Sequence, residues 1–382
     1  MATKIEWADS SWNPISGCSP MSAGCANCYA SSMSKRLKGR FGYPQNDPFK
    51  VTFHKDKINE PDKWKKPRRV FTCSMGDLFH DDVTDGQIMW VFWKMARAKQ
   101  HTFIVLTKRP KRMRRWFSKW LQKHLKGIDY TKYSFVRDPD GIRKTHKVGR
   151  ALLLAEMLEL WGEKPIWHVL PTYDSLYGIV HWPDVFPNVH IGVSVEDQKT
   201  ADERIPHLLR CQAAVRFVSV EPLLGPINLS PFLPHKFNCE PHCTWCEDCI
   251  HSGKDDGWKE TTKHNHSPFL DGVITGGETG PRARPMHPDW VRSIRDQCVD
   301  CGTNFFFKSW GQWQNGSDFS RPLKSHIVLS DGRHAINAGE LGFRQCDGPE
   351  WNALNPTMMA KVGKKRSGRT LDGRTWDQLP KR

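Results

Sequence analysis

Short apolar runs rich in β-branched and aromatic residues recur along this chain, and longer segments with helix-like spacing separate them. Near-continuous apolar runs of this length are typical of strands buried on both faces of a parallel sheet. One intervening segment opens with His287-Pro288-Asp289, a sequence typical of a helix start. The predicted strands are Val70–Ser74, Phe103–Thr107, Val189–Val195, Val215–Val220, Gly272–Gly276 and Asn304–Phe307. The predicted helices span residues 85–100, 110–125, 198–211 and 287–301.

The alternation of strand and helix predicts an α/β fold made of βα repeats, as an open sheet or as a full or partial barrel. Two regions interrupt the repeat. The first contains a turn-like Asp-Pro-Asp-Gly sequence and an apolar helical stretch, and the second is rich in Cys, His and Pro. We therefore expect barrel segments at 1–125, 187–229 and 269–315, insertions at 126–186 and 230–268, and a basic C-terminal extension at 316–382. Within that extension we expect the Gly-rich tail from Lys361 to Arg369 to be exposed.

Polar residues follow the predicted strands at the points where they end. In α/β barrels such side chains point into the active-site mouth, so we expect them to converge there. Capping of the following helix is the alternative for any single carboxylate. A Gly276-Gly277 pair adds a place where backbone can approach a ligand closely. The strand-end residues are Asp77, Lys108, Glu196, Glu221 and Glu278.

The charge balance favours an anionic partner. Over 382 residues, 57 Lys and Arg face 41 Asp and Glu, which gives a formal net charge of +16. Such a surplus neutralises phosphates, and the basic segments at 63–69 and 108–116 interleave cations with Trp, as in proteins that stack on bases. A basic enzyme with a small substrate, or solvated helix faces, is the alternative. Neither a Walker-type phosphate loop nor a Gly-x-Ser-x-Gly elbow occurs, which argues against an ATPase and a serine hydrolase.

The location follows from what the sequence lacks and from its cysteines. We expect no membrane association and no secretion, because the chain has neither an apolar run of spanning length nor a signal sequence. Twelve cysteines that cluster at C-x2-C spacings indicate metal ligation in a reducing compartment rather than disulfides. The expected location is cytoplasmic.

Three cysteines near the N-terminus form the strongest candidate site. Cys18, Cys25 and Cys28 have the spacing C-x6-C-x2-C, and Gly17 and Gly24 allow the loop to fold around an object. A structural zinc site normally takes four protein ligands, whereas a site for chemistry keeps one position open. A cluster held by three cysteines likewise leaves one iron open, unlike the usual four-cysteine ligation. The triad therefore predicts a reactive metal centre, and a cluster is favoured over zinc.

A second cysteine group lies within the later insertion. Four thiolates within eleven residues, with histidines nearby, suit a closed tetrahedral zinc site. A second iron–sulfur cluster is the alternative. A zinc knuckle here would also suit nucleic-acid binding. The group consists of Cys239, Cys243, Cys246 and Cys249.

Several short motifs together point to one protein family. They are Ile5-Glu6-Trp7-Ala8-Asp9 with Trp12-Asn13-Pro14, the cysteine triad, Thr107-Lys108-Arg109-Pro110, Gly192-Val193-Ser194-Val195-Glu196-Asp197, Gly276-Gly277-Glu278-Thr279-Gly280 and Phe306-Phe307-Lys308-Ser309-Trp310-Gly311. In these motifs the chain resembles a phage-encoded three-cysteine-motif family of unknown function, which is similar to the radical S-adenosylmethionine (SAM) enzymes. The resemblance covers most of the chain except the two insertions.

The resemblance implies a partial (βα)6 barrel of the radical SAM type, in which three cysteines after the first strand hold a [4Fe–4S] cluster. Carried over, Cys18, Cys25 and Cys28 are the cluster ligands, with Tyr29 beside them. The open iron of such enzymes binds SAM. Electron transfer from a reductase cleaves SAM to methionine and a 5′-deoxyadenosyl radical, which abstracts hydrogen from a substrate. The cofactor carries the hard chemistry, and the protein orients its partners and excludes water.

The chain departs from the radical SAM pattern in two places. The usual spacing is C-x3-C-x2-C, whereas the first gap here is six residues. The usual Gly-Gly-Glu motif that binds SAM follows the second strand, whereas Gly276-Gly277-Glu278 follows a late one. After its second strand this chain has Asp77, which we expect to contact the SAM amino group. The expected cofactor-binding residues are Asp77, Gly276, Gly277, Glu278 and Tyr29.

The resemblance therefore implies a radical SAM-like enzyme acting on a nucleic-acid base or modified nucleotide, in phage DNA modification. The cell would then be a bacterial host or a phage-infected cell. Glu196 and Glu221 are the candidate catalytic carboxylates, and Lys108 and Lys308 are expected to contact a carboxylate or phosphate. Two other classes stay open. One is a non-enzymatic, zinc-stabilised nucleic-acid-binding protein. The other is a nuclease whose strand-end carboxylates hold Mg²⁺.

Overall fold

The computed structural model describes residue 3 and residues 5–125, 186–211, 213–234, 269–315, 324–337, 339–342 and 348–380. The insertion expected at 126–186 lies outside the described residues except for its last position. Most of the second insertion lies outside them as well. With it lies the second cysteine group, Cys239, Cys243, Cys246 and Cys249.

A curled sheet of seven parallel strands forms a half-barrel. The order of the strands in the sheet is their order in the sequence. A separate antiparallel pair, β2 (Ile15–Ser16) and β3 (Thr52–Phe53), flanks the first connection. The parallel strands are β1 (Ser10–Trp12), β4 (Arg69–Thr72), β5 (Thr102–Thr107), β6 (Val189–Val195), β7 (Val215–Val220), β8 (Gly272–Gly276) and β9 (Asn304–Ser309).

Helices connect the parallel strands, and their ends carry recognisable signals. Capping boxes start two of them, with Thr84 and Gln87 at the first and Asp197 and Thr200 at the second. The helices are α1 (Tyr29–Leu37), α2 (Asp85–Arg97), α3 (Pro110–Leu125), α4 (Gln198–Leu209) and α5 (Pro288–Asp300). Short 3₁₀ helices cover Ala23–Cys25, Lys55–Lys57, Pro61–Lys63 and Ser230–Phe232.

The two faces of the sheet bury different cores. The convex face carries most of the buried side chains, which pack under the helices. On the concave face a smaller apolar cluster fills the middle of the half-barrel, where Ile104, Phe217, Ile274 and Phe306 meet Trp7 from the N-terminal segment. The polar residues come after this apolar layer along each parallel strand, so they lie on its carboxyl side.

A four-stranded antiparallel sheet follows the half-barrel and packs on α5 and the loop before it. The Trp290 indole N–H donates to the Ser330 carbonyl at 2.7 Å, and the His287 ring contacts the Asn355 carbonyl at 2.8 Å. Its strands are β10 (Trp313–Asn315), β11 (Ser325–Val328), β12 (His334–Ala335) and β13 (Thr357–Lys361). The same region contains a 3₁₀ helix (Gly339–Leu341), α6 (Pro349–Ala353) and α7 (Lys364–Ser367).

The structure confirms a partial barrel and refines its strand count. All six predicted strands and all four predicted helices are present, with ends that differ by at most three residues. The sheet contains seven parallel strands rather than six, because the three-residue strand β1 was too short to recognise. The expectation that the tail from Lys361 to Arg369 is exposed was wrong in part. Lys364, Lys365 and Arg366 are exposed, but Ser367 is buried.

Candidate functional site

The predicted site residues lie at the carboxyl end of the half-barrel. Because all seven strands are parallel, the segments that follow them share one edge of the sheet. The cysteine loop follows β1 and β2, Asp77 follows β4, and Lys108 follows β5. Glu196, Glu221 and Glu278 follow β6, β7 and β8, and Lys308 lies in β9.

The cysteine loop has a tight path and carries three free thiols. Gly17 has a φ of +88°, and a Cβ there would lie 2.2 Å from the Lys50 carbonyl oxygen, so only glycine fits. Cys25 ends the 3₁₀ turn, and Cys28 is the residue before α1. All three thiols, including that of Cys18, are half-buried and free. The loop therefore presents three sulfur donors that solvent or a bound group can reach.

A buried charge cluster supports the middle of this loop. The Glu196 carboxylate is completely buried and pairs with two cations, Lys108 and Arg204. Its Oε1 also accepts a hydrogen bond from the Ser22 hydroxyl at 2.9 Å. Gly24 allows this contact, because a Cβ there would lie 2.6 Å from Glu196 Oε1 and 2.8 Å from Lys108 Nζ. The predicted residues Lys108 and Glu196 thus form one unit with the cysteine loop.

The Cys25 sulfur lies beside this charge cluster. Lys108 Nζ is 3.7 Å from the sulfur, and the Met21 amide and the Ser22 hydroxyl approach it at 3.4 and 3.9 Å. Burial alone would raise the pKa of the Cys25 thiol, but the Lys108 charge and these hydrogen bonds lower it below its ordinary value. The surroundings of Cys25 therefore favour the thiolate, which is the form that binds metal.

The Cys18 sulfur has a different cation as its neighbour. Arg109 Nη1 donates to the sulfur at 3.2 Å, and Arg109 Nη2 donates to the Ser19 carbonyl at 3.1 Å and hydroxyl at 2.8 Å. The pKa of Cys18 is raised, because burial and the nearby Asp77 carboxylate outweigh the Arg109 charge. A bound metal would add the positive charge that holds this thiol deprotonated.

Asp77 supports Arg109 and has no acceptor position to spare. Its Oδ1 accepts from the Thr107 hydroxyl at 2.7 Å and the Phe79 amide at 2.9 Å. Its Oδ2 accepts from the Lys108 amide at 3.1 Å and from Arg109 Nη1 at 3.2 Å. The residue is 5% exposed. This geometry makes Asp77 a support for Arg109, and its expected contact with SAM stays a prediction.

Glu278 connects the late strand β8 to the cysteine loop. Its carboxylate pairs with Arg284 at 2.6 Å, and Arg284 also donates to the Ala23 carbonyl at 3.0 Å. Burial raises the pKa of Glu278, but the bonds from Arg284 and a contact with Asn27 outweigh this and lower it. Glu278 is therefore ionised at neutral pH and holds one side of the loop through Arg284.

The Gly-Gly pair and Glu221 occupy the far wall of the half-barrel. Glu221 pairs with Lys308 at 2.8 Å and accepts from the Ser219 hydroxyl at 3.1 Å. A Cβ at Gly276 would lie 2.8 Å from Glu221 Oε1, and one at Gly277 would lie 2.3 Å from the Trp310 carbonyl oxygen. Both glycines are thus needed for contacts inside the protein. Tyr29, next to Cys28, is 62% exposed.

The three thiols are soft donors of the kind that an iron–sulfur cluster takes. Within the described residues, no group of three or more Cys, His, Asp or Glu side chains is arranged to hold one metal ion. The cysteines that bind a [4Fe–4S] cluster each contact a different iron, so they surround a larger object than a single ion. Cys18 and Cys25 also have cations beside their sulfurs, which would offset the negative charge of cluster and thiolates.

Sequence reasoning missed several residues of this site. Arg204 lies eight residues beyond Glu196, and Arg284 lies six residues beyond Glu278. Arg109 belongs to the Thr107-Lys108-Arg109 motif, but the sequence did not predict its contact with Cys18. His80 is buried and contacts the Ser19 hydroxyl at 2.8 Å. Cations near strand-end carboxylates were the available signal for the arginines.

A cavity of about 510 Å³ lies at the opposite, amino end of the strands. Its lining includes Arg69 and Thr102, the first residues of β4 and β5, and Leu379 and Pro380 of the C-terminal segment. The cysteine loop does not line it. In the described part of the chain, no helix is both long and apolar enough to cross a membrane.

Comparison with known proteins gives a family and no closer relative. Searches of curated proteins and of solved structures returned no match to the chain. One family model, described as "Protein of unknown function (DUF5131)", matches residues 2–380. Because that match spans nearly the whole chain, this protein belongs to the DUF5131 family of proteins of unknown function.

Proposed function

We propose that this protein is a radical SAM-like enzyme whose triad, Cys18, Cys25 and Cys28, holds a [4Fe–4S] cluster. One observation carries the proposal: three free thiols stand at the carboxyl end of a parallel half-barrel, and two of their sulfurs have cationic side chains beside them. Active sites of α/β barrels lie at that end. When bound, the cluster would supply the electron that cleaves SAM to methionine and a 5′-deoxyadenosyl radical.

The chain's own residues would hold and orient the participants. Glu196 fixes the position of Lys108, whose ammonium group lies close to Cys25. Glu278 and Arg284 hold the other side of the loop. The exposed Tyr29 side chain borders the site on the solvent side. A reductase would deliver the electron from outside.

The substrate would meet the far wall of the half-barrel. Glu221 follows Val220 of β7, which pairs with Val195 of β6, so Glu221 and Glu196 leave neighbouring strands side by side. Lys308 pairs with Glu221. The wall therefore offers one cation and one carboxylate to a polar substrate. We propose a nucleic-acid base or modified nucleotide, supported by the net charge of +16, and phage DNA modification as its setting.

The structure gives no support to the Mg²⁺-dependent nuclease. Each strand-end carboxylate already has a cationic partner: Asp77 pairs with Arg109, Glu196 with Lys108 and Arg204, Glu221 with Lys308, and Glu278 with Arg284. A divalent ion would have to displace those cations. The zinc expected at the second cysteine group stays a prediction, since those residues lie outside the described part.

The direct test is SAM cleavage by anaerobically reconstituted protein. With dithionite and SAM, we expect 5′-deoxyadenosine from the parent protein and none from Cys18→Ala, Cys25→Ala or Cys28→Ala. Cys211→Ala is the matched control, because Cys211 is a buried core cysteine away from the loop and should retain product formation. Full activity in a triple Cys18, Cys25 and Cys28 variant would refute the proposal. A colourless protein with zinc and no iron would instead indicate a metal-stabilised binding protein.

A further inference from the structure

Arg109 is held with unusual completeness beside the Cys18 sulfur. It is 6% exposed, and four of its five N–H groups are used: two on Nη1, toward Cys18 Sγ and Asp77 Oδ2, and two on Nη2, toward Ser19. Its Nε is buried and has no hydrogen-bond partner among the described residues. A buried donor without a partner requires an explanation, such as an acceptor that joins the site later.

The support around Arg109 fixes this geometry from several elements. Asp77 comes from the segment after β4, and Arg109 comes from the segment after β5. The Thr107 hydroxyl bridges the two, because it donates to Asp77 Oδ1 at 2.7 Å and accepts from the Arg109 amide at 2.9 Å. Ser19, which receives Nη2, also contacts His80 at 2.8 Å. The guanidinium group therefore has little freedom to turn away from the sulfur.

We infer that Arg109, held by Asp77, is a positioning residue that raises the reduction potential of the cluster bound at Cys18, Cys25 and Cys28. The inference rests on the proposed function. Hydrogen bonds to the ligand sulfurs and the local charge are among the factors that set such potentials. A cation that donates to a ligand sulfur stabilises the state carrying one more electron. Reduction by an external donor adds that electron, and no proton or bond needs to move.

Lys108 does not duplicate this role. Its ammonium group is 3.7 Å from Cys25 Sγ, at the edge of hydrogen-bond distance, and it is neutralised by the buried Glu196 carboxylate. Arg109 is closer to its sulfur, at 3.2 Å, but shares Nη1 with Asp77. The direct N–H···S contact, more than net charge alone, therefore separates Arg109 from Lys108. Replacing Arg109 by lysine would keep the positive charge but remove the planar guanidinium group, whose two terminal nitrogens contact Cys18 and Ser19.

The test measures the midpoint potential by spectroscopic redox titration of reconstituted protein, with iron and sulfide content determined on the same samples. Arg109→Gln should keep about four irons per chain but need a lower potential for half-reduction. At a fixed potential, its ratio of reduced to oxidised protein should fall about tenfold, which equals about 59 mV for one electron. Arg109→Lys should fall between the parent and Arg109→Gln. This variant keeps the measurement possible if Arg109→Gln does not fold.

Lys111→Gln is the matched control. Like Arg109→Gln, it removes one positive charge. Lys111 lies in α3, is 63% exposed and pairs with Glu203 at the surface. Its potential should equal that of the parent. If both Arg109 variants load iron and match the parent potential, the inference is overturned while the proposed cluster stands. A parent protein that binds no iron overturns both, so the two failures are distinguishable.

Discussion

The two ends of the half-barrel differ in what fills them. The carboxyl end holds the thiols and four ion-paired carboxylates, and Glu196 there is completely buried. The amino end holds a cavity of about 510 Å³, to whose lining Ile104, Phe217 and Ile274 contribute. This cavity thus lies at the end away from the cysteine triad. The function is better inferred from the arrangement of charges and thiols than from volume.

The sharpest way to break the carboxyl end is to remove Glu196. Glu196→Ala would leave Lys108 and Arg204 as buried cations without their shared partner. Breaking a buried ion pair in this way costs about 3–5 kcal/mol of the free energy of unfolding. Urea unfolding of the parent and the variant measures it. Glu203→Ala is the control, because the Glu203 pair with Lys111 is exposed and should cost about 1 kcal/mol or less.

If Glu196→Ala and Glu203→Ala destabilise the protein equally, the carboxyl end does not depend on its buried charges. The contrast between the two ends would then lose its physical basis.

A smaller effect is expected from filling the space at Gly24. In Gly24→Ala, the new Cβ would lie 2.6 Å from Glu196 Oε1 and 2.8 Å from Lys108 Nζ, two groups that their ion pair holds in place. Overpacking of this kind costs about 1–3 kcal/mol. Because the loop would have to move, iron content after reconstitution should also fall. Unfolding curves and iron analysis of the same samples check both effects.

Gly86→Ala provides the matched control for that substitution. Gly86 lies in α2, and a Cβ there would meet only the Thr84 hydroxyl, at 4.0 Å. It should gain about 0.4–1 kcal/mol, since alanine restricts the unfolded chain, and leave iron content unchanged. Equal iron content in Gly24→Ala and the parent would contradict the close fit of the loop to Glu196.

The smallest of these effects concerns the amino end and depends on pH. Burial lowers the pKa of His190, which lines the cavity, to about 4. In the unfolded chain the pKa is near 6.5, so acidification protonates the unfolded state first and lowers stability between about pH 6.5 and 4. From pH 7 to pH 5, this one group should cost the parent about 1–2 kcal/mol. His190→Gln should lose less over the same range in urea unfolding.

Equal losses in the parent and His190→Gln would show that His190 is not buried as a neutral group. Iron content should not differ between them, because His190 lies at the end opposite the cysteine loop.

Much of the fold could be predicted from the sequence, because the residue patterns that indicate strands and helices are local. The strands β6, β7 and β8 are continuous apolar runs, and their predicted and observed bounds coincide. Two kinds of element escaped. β1 has only three residues, and the antiparallel sheet after residue 312 is formed from short strands without a clear alternating pattern. Pattern recognition needs several residues of one period, which these strands do not provide.

The site was predictable in position but not in its pairings. The strand-end rule placed Lys108 and Glu196 at one edge, which the sheet topology bears out. That Asp77 supports Arg109, 32 residues away, depends on a contact that only folding creates. Gly276 and Gly277 leave room for Glu221 and the Trp310 backbone, and their expected approach to a ligand stays a prediction. A glycine signals close approach without saying to what.

Iron and sulfide content of the anaerobically reconstituted protein tests the central claim most directly. The account predicts about four irons and four sulfides per chain at the cysteine triad, lost in Cys18→Ala and retained in Cys211→Ala. About eight irons would add a second cluster and leave the triad assignment intact, provided that four are lost in Cys18→Ala. Iron content that is the same in the parent and the triple Cys18, Cys25 and Cys28 alanine variant would contradict it.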